Sequence, residues 1–173
     1  MLLCVLAIVL VSAMALSFHL FADSGIHGND KIKVLIVDAH PVARKGIRLL
    51  LSQESDLEVC GEAQNVEEAI DVLEHCRPDL VIVDPHIKGS GDLDLIKHLS
   101  VHHPAIPVVV LSMRDESFYA ERALEAGARA YITKEEGSEK LIEGIHKVMT
   151  GRIVVSDKIA ARLVRTYAGG APL

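Results

Sequence analysis

The sequence predicts an α/β protein with a doubly wound, five-stranded parallel sheet and an apolar helix at its N-terminus. Three observations carry that expectation. Between Lys31 and Gly151, apolar runs of strand length alternate five times with amphipathic stretches of helix length. The runs are continuous, as strands covered on both faces must be, and do not alternate with polar residues. The chain has 173 residues and is 50% hydrophobic, enough to bury one sizeable core.

The elements follow in order. "MLLCVLAIVLVSAMALSFHLFA", Met1 to Ala22, carries no charged side chain and is long enough to span a bilayer. Three readings of it stand: a membrane anchor, a cleaved secretory signal ending near Ala13-Met14-Ala15, or a misassigned start. Lys31, Lys33, Arg44, Lys45 and Arg48 follow it, so the positive-inside rule leaves the body in the cytoplasm. An anchor there would tether it to the inner membrane. Residues 23–30, "DSGIHGND", read as a linker.

"KVLIV" is the first strand, ending at Asp38. "HPVARKGIRLLLSQ" is a helix with Pro41 in its first turn and Val42, Ile47, Leu50 and Leu51 on one face. "LEVCGEA" is the second strand, and "NVEEAIDVLEHC" a helix opened by an Asn65/Glu68 capping box. "DLVIVD" is the third strand, ending at Asp84, and Gly89 to Gly91 form a turn. The helix "LDLIKHLSVHH" stops before Pro104. Its His98 and His102 have a metal-binding spacing but no evident third ligand, so they read as a solvated helix end. "PVVVLS" is the fourth strand, ending at Ser112, and "SFYAERALEAG" a helix closed by Gly127. "AYIT" is the fifth strand, followed by Lys134, and "SEKLIEGIHKVMTG" a helix capped by Ser138 and closed by Gly151. Residues 152–173 hold a short helix capped by Ser156, with Ile159, Leu163 and Val164 on one side, and the linker "AGGAPL".

Net charge is −6 and aromatic content 3%, so neither a basic footprint nor stacking platforms argue for direct nucleic-acid binding. Cys4, Cys60 and Cys76 have no pairing or metal-ligand spacing and read as small thiols in a reducing compartment.

In a sheet of this kind, ligands bind beyond the carboxyl ends of the strands. Those ends bring Asp38, Asp84, Ser112 and Lys134 from distant positions to one rim. Two acids, a lysine and a hydroxyl form a phosphoryl-transfer set. The carboxylates hold Mg2+, the lysine pairs a phosphoryl oxygen, the hydroxyl donates a hydrogen bond, and one carboxylate serves as nucleophile.

The stretches "VLIVDAHPVARKGIRLLL", "DLVIVD", "VVVLS" and "GARAYITK" resemble the receiver domain of bacterial two-component response regulators, over about Lys31 to Gly151. "HPVARKGI" and Glu135 resemble the subfamily that carries a LuxR-type helix-turn-helix. The resemblance implies a flavodoxin-like (βα)5 receiver that signals and is not an enzyme. It implies Asp84 as phosphoacceptor and metal ligand, Asp38 as the acid that holds Mg2+ through water, and Lys134 as the phosphate-pairing lysine. It further implies Ser112 as switch hydroxyl, Tyr131 as aromatic switch, and His86 as the residue whose backbone carbonyl binds metal. The phosphodonor would be a sensor histidine kinase or a small acyl phosphate, and the output a protein partner or a homodimer through the receiver.

Several residues depart from that pattern. Ala39 stands where the family has a second acid in direct contact with the metal. Ile87-Lys88 and Asp92 replace Met-Pro and a glycine, and Met113 replaces a small residue at the phosphoryl entrance. Weak Mg2+ binding is therefore expected. The alternatives are a pseudo-receiver that binds proteins without phosphate, or a truncated transcriptional regulator, since no helix-turn-helix follows the linker. A haloacid-dehalogenase-type phosphatase would need Asp-x-Asp after a strand, which neither Asp38-Ala39-His40 nor Asp84-Pro85-His86 supplies. A flavodoxin-like cofactor binder would need a phosphate loop richer in hydroxyls and amides after the first strand.

Overall fold

The computed structural model describes residues 31–87, 93–113 and 116–167, and among them five strands alternate with six helices. The strands are β1 (Ile32–Val37), β2 (Leu57–Ala63), β3 (Leu80–Val83), β4 (Val108–Ser112) and β5 (Ala130–Thr133). The helices are α1 (Pro41–Leu51), α2 (Val66–Cys76), α3 (Asp94–His102), α4 (Glu116–Glu125), α5 (Ser138–Met149) and α6 (Asp157–Tyr167). The apolar N-terminal segment, the linker after it and the Gly89–Gly91 turn lie outside the described residues. Among the described residues, no helix is long and apolar enough to cross a membrane.

All strand pairs are parallel, in the order β2-β1-β3-β4-β5. Successive strand residues face opposite sides of a sheet, so a wholly apolar strand feeds two cores at once. Leu35, Val37, Val81 and Val83 pack beneath α2, α3 and α4 with Leu73, Ile96, Leu99 and Ala123. Val34, Ile36, Leu80 and Ile82 pack beneath α1 and α5 with Ile47, Leu51, Leu141 and Ile145. The strand order reverses direction at β1 and β3, and the crevice at their carboxyl ends is where such sheets bind ligands.

Local signals account for most boundaries. Asn65 caps α2 by accepting from the Glu68 amide at 2.8 Å, while the Glu68 carboxylate accepts from the Gln64 amide at 3.0 Å. Gly127 closes α4 at φ 112°, packed against Ser100. Three details differ from expectation. Val42 is 84% exposed, because five residues before Ile47 is the wrong angular offset for the buried face. Gly137, at φ 88°, occupies the cap of α5, and Ser138 is its first helical residue. In α6, Ile159 is fully buried but Val164 is exposed, so the buried stripe is narrower than the sequence suggests.

After α5 the chain turns back along β5, where the Tyr131 amide donates to Val154 O at 2.9 Å and the Val154 amide donates to Arg129 O at 2.9 Å. The helix α6 then packs on α4, tied by an Arg162–Glu121 ion pair at 2.9 Å. This tail covers the otherwise open edge of β5, which a parallel sheet must protect.

Gly127→Ala is expected to lower stability by roughly 2 kcal/mol, because a side chain there strains the left-handed backbone and meets Ser100. Urea midpoints at neutral pH check this, and Gly137→Ala, where an added Cβ meets nothing, should lose less.

Candidate functional site

Asp38 and Asp84 directly follow β1 and β3, neighbouring strands in register at Val37–Val83. Both carboxylates are nearly buried, at 1% and 4% exposure, as is Ser112 at the end of β4. Two like charges brought together and away from water need a compensating cation. Lys134 supplies it. Its Nζ donates to Asp38 Oδ2 at 2.6 Å and to Asp84 Oδ2 at 2.5 Å. The lysine is held at that height by its own amide, which donates to Ser112 O at 2.8 Å and extends the β4–β5 ladder.

The remaining carboxylate oxygens are bound in matching ways. Asp38 Oδ1 accepts from the His40 amide at 2.7 Å and lies 3.0 Å from His40 Nδ1. Asp84 Oδ1 accepts from the His86 amide at 2.9 Å and lies 3.2 Å from His86 Nδ1. Each Asp thus folds the chain after its strand into an Asx-type turn, and each turn presents a histidine ring to the same oxygen. Arg44 reinforces the first turn, its Nη1 donating to Asp38 O at 2.6 Å, while Arg44 and Arg48 also pair with Glu62.

Burial pushes the Asp84 carboxyl up, but the Lys134 hydrogen bond, the His86 amide and the Lys134 charge together hold it below the usual carboxylate range. Burial also lowers Lys134, and hydrogen bonds to Asp38 and Asp84 outweigh it, so the ammonium is held above its ordinary value. The Lys134 ammonium thus bridges the two acids, with Asp84 held as the carboxylate.

The structure therefore brings Asp38, Asp84 and Lys134 into direct contact, with Ser112 on the adjacent strand end. His86 lies at the same rim. Among the described residues its Nε2 is buried with no hydrogen-bond partner, and its ring meets Tyr119 edge-on at 6.4 Å. Tyr131 is elsewhere: 2% exposed, it belongs to the core layer that also holds Ala120, Ala123 and Ile159. Met113 stands exposed after Ser112.

One residue at the site was missed in the sequence. Ligand atoms of Asp38, His40 and Asp84 all lie within 4.8 Å of one another, so His40 offers a third donor beside both acids. The signal was the repeated Asp-x-His at Asp38–His40 and Asp84–His86. Two carboxylates suit a hard divalent cation such as Mg2+, but the third donor is an imidazole, and Ala39 offers none. The residues present fit a divalent cation with one hard ligand fewer than a three-acid site would provide.

Two outcomes are expected. Lys134→Met should cost about 3 kcal/mol in metal-free buffer, since it strands two buried carboxylates, and millimolar Mg2+ should restore part of the loss. Melts with and without Mg2+ read this directly. The Asp84 contribution to stability is complete above its ordinary pKa of 3.8 and is lost as pH falls through the depressed folded value. The Lys134 contribution is complete below 10.5 and is lost as pH rises through the elevated folded value. Urea midpoints should therefore be flat near neutrality and fall on both sides, with Asp84→Asn blunting the acid limb.

Known proteins resemble this chain in sequence and fold. Residues 34–146 match the response regulator receiver domain family. The response regulator GacA of Pseudomonas aeruginosa is 35% identical over 132 residues, covering 76% of this chain and 62% of its own. The nitrate/nitrite response regulator NarL of Escherichia coli is 31% identical over 126 residues, covering 73% and 58%. The chain thus spans about three fifths of the length of these curated relatives. Among solved structures, a LuxR-family two-component response regulator from Aurantimonas sp. SI85-9A1 superposes with a TM-score of 0.72 at 28% identity, covering 80% of this chain and 99% of that one. With its family match running across the sheet and the Asp–Lys–Asp bridge, the chain belongs to the response regulator receiver domains of two-component systems.

Proposed function

We propose that the domain is a phosphorelay receiver that accepts a phosphoryl group on Asp84. The observation that carries this reading is the Lys134 bridge, which keeps the Asp84 carboxylate ionised in a nearly buried rim. A carboxylate oxygen of Asp84 attacks phosphorus, and the bond from phosphorus to the donor imidazole or acyl oxygen breaks as the leaving group takes up a proton. Lys134 then exchanges a carboxylate for a phosphoryl oxygen, and the Ser112 hydroxyl supplies a further hydrogen bond. Bound Mg2+ would neutralise phosphoryl oxygens, held by Asp84 directly, by Asp38 through water and by the His86 carbonyl. With Ala39 in place of an acid, that affinity is weak.

We assign the receiver to residues 31–151 and the tail to residues 152–173, with Met1–Ala22 an apolar segment and residues 23–30 a linker. The donors are a sensor histidine kinase or a small acyl phosphate in the cytoplasm. The output is a conformational change read by a protein partner or a second copy, not turnover of a substrate. The alternative of a pseudo-receiver rests on Ala39, which removes a metal ligand while leaving the fold intact.

Incubation with acetyl phosphate and Mg2+ should give a single phosphoryl adduct by intact mass, stable in acid and labile in base. Asp84→Asn should abolish it; an adduct that survives this change sinks the assignment, and no adduct on the native chain selects the pseudo-receiver. Ala39→Asp should tighten Mg2+ by about tenfold or more, since a further carboxylate joins the cation. Titration calorimetry checks it, and equal affinities would remove position 39 from the metal site.

A further inference from the structure

Cys60 and Cys76 lie far from the acidic rim, yet three independent features bring their sulfurs together. The first is a break in strand register. Val34 pairs with Val59 and Leu35 with Gly61, so Cys60 is an extra, unpaired residue in β2. Such a bulge re-aims the side chain it carries. The second is Gly61, where an added Cβ would collide with Val72 and meet Cys76 Sγ at 3.4 Å. The missing side chain is what lets α2 approach the strand. The third is the end of α2: Cys76 is its last residue, and Arg77 turns the chain away in the left-handed region at φ 46°. The two Sγ atoms stand 2.7 Å apart, against about 2.05 Å in a disulfide. Both residues are half-buried at the wall of an open groove of about 600 Å³ on the sheet edge, lined also by Lys33, Glu58, Asp71 and Val72.

We propose that Cys60 and Cys76 form a redox modification site, closing to an intramolecular disulfide by exchange with low-molecular-weight disulfides that enter this groove. Burial first, then the hydrogen bond and charge of Cys76, push the Cys60 thiol up to about 12, so Cys60 stays protonated at neutral pH. Cys60 is thus the poorer nucleophile, and exchange starts at Cys76, beside it on the groove wall. The Cys76 thiolate bonds to one sulfur of the incoming disulfide and expels the other as a thiolate, which takes a proton from solvent. With Cys76 capped, its hydrogen bond and charge no longer add to the burial that raises the Cys60 thiol. Cys60 then loses its proton, attacks Cys76 Sγ and expels the second small thiol. The protein loses two protons and two electrons, and one small disulfide takes them up to become two thiols. The bond ties the edge strand to α2 across a 16-residue separation.

The test uses the full chain in mild detergent with Cys4→Ser, treated with oxidised glutathione. The expected product has lost two hydrogens and carries no adduct, and its peptide map joins Cys60 to Cys76. The cross-link should raise the melting temperature by roughly 10 °C, reversed by a dithiol reductant. Cys60→Ser should stop at one glutathione on Cys76. Stable glutathione on both cysteines of the parent protein, or two untouched thiols under conditions that oxidise the urea-unfolded chain, would overturn the proposal.

Discussion

Two buried carboxylates side by side form the constraint around which this domain is arranged. Parallel pairing of β1 with β3 forces Asp38 and Asp84 to the same height on the rim. Left alone, the pair would repel and one acid would take up a proton. Lys134 prevents this by bridging both, and it reaches them only because β5 is added to the sheet beside β4. The order of the strands is thus tied to the charge state of the site. A different arrangement of the same elements would leave the acids without their cation.

The lysine also links the site to the far side of the sheet. It follows directly on β5, the strand that carries Tyr131 and is bridged to Val154. Tyr131 packs in the layer that includes Ile159 of α6 and Ala120 and Ala123 of α4. Whatever alters the partners of Lys134 therefore acts on one end of a strand packed against α4 on one face and α5 on the other. Sub-ångström changes at a rim become larger ones where packed layers have discrete alternatives. The Arg162–Glu121 ion pair, at the surface of the α4–α6 contact, adds little strength of its own.

The edge formed by β2 and α2 has a different character. Its bulge and its glycine allow a close approach of helix and strand that a regular ladder would not provide, and both lie away from the acidic rim. The sulfur exchange proposed at that edge and the phosphoryl transfer proposed at the rim would act on separate parts of one sheet. They share β1, which pairs with β2 on one side and β3 on the other.

The sequence by itself determined the fold, because strand runs such as "KVLIV" and "DLVIVD" are apolar throughout and admit only burial between two helical layers. It also named Asp38, Asp84, Ser112 and Lys134, since strand ends in a parallel sheet converge on one rim. What it left open were contacts made by direction and not by periodicity. The Asp-x-His repeat was visible, but only the folded turns place His40 and His86 on their acids. Tyr131 sits three residues before Lys134, yet its burial was decided by α6 packing over α4, a contact without a local signal. Cys60 and Cys76 show no spacing that pairs them. A one-residue slip in register beside a glycine put their sulfurs together, and register belongs to the sheet, not to either strand.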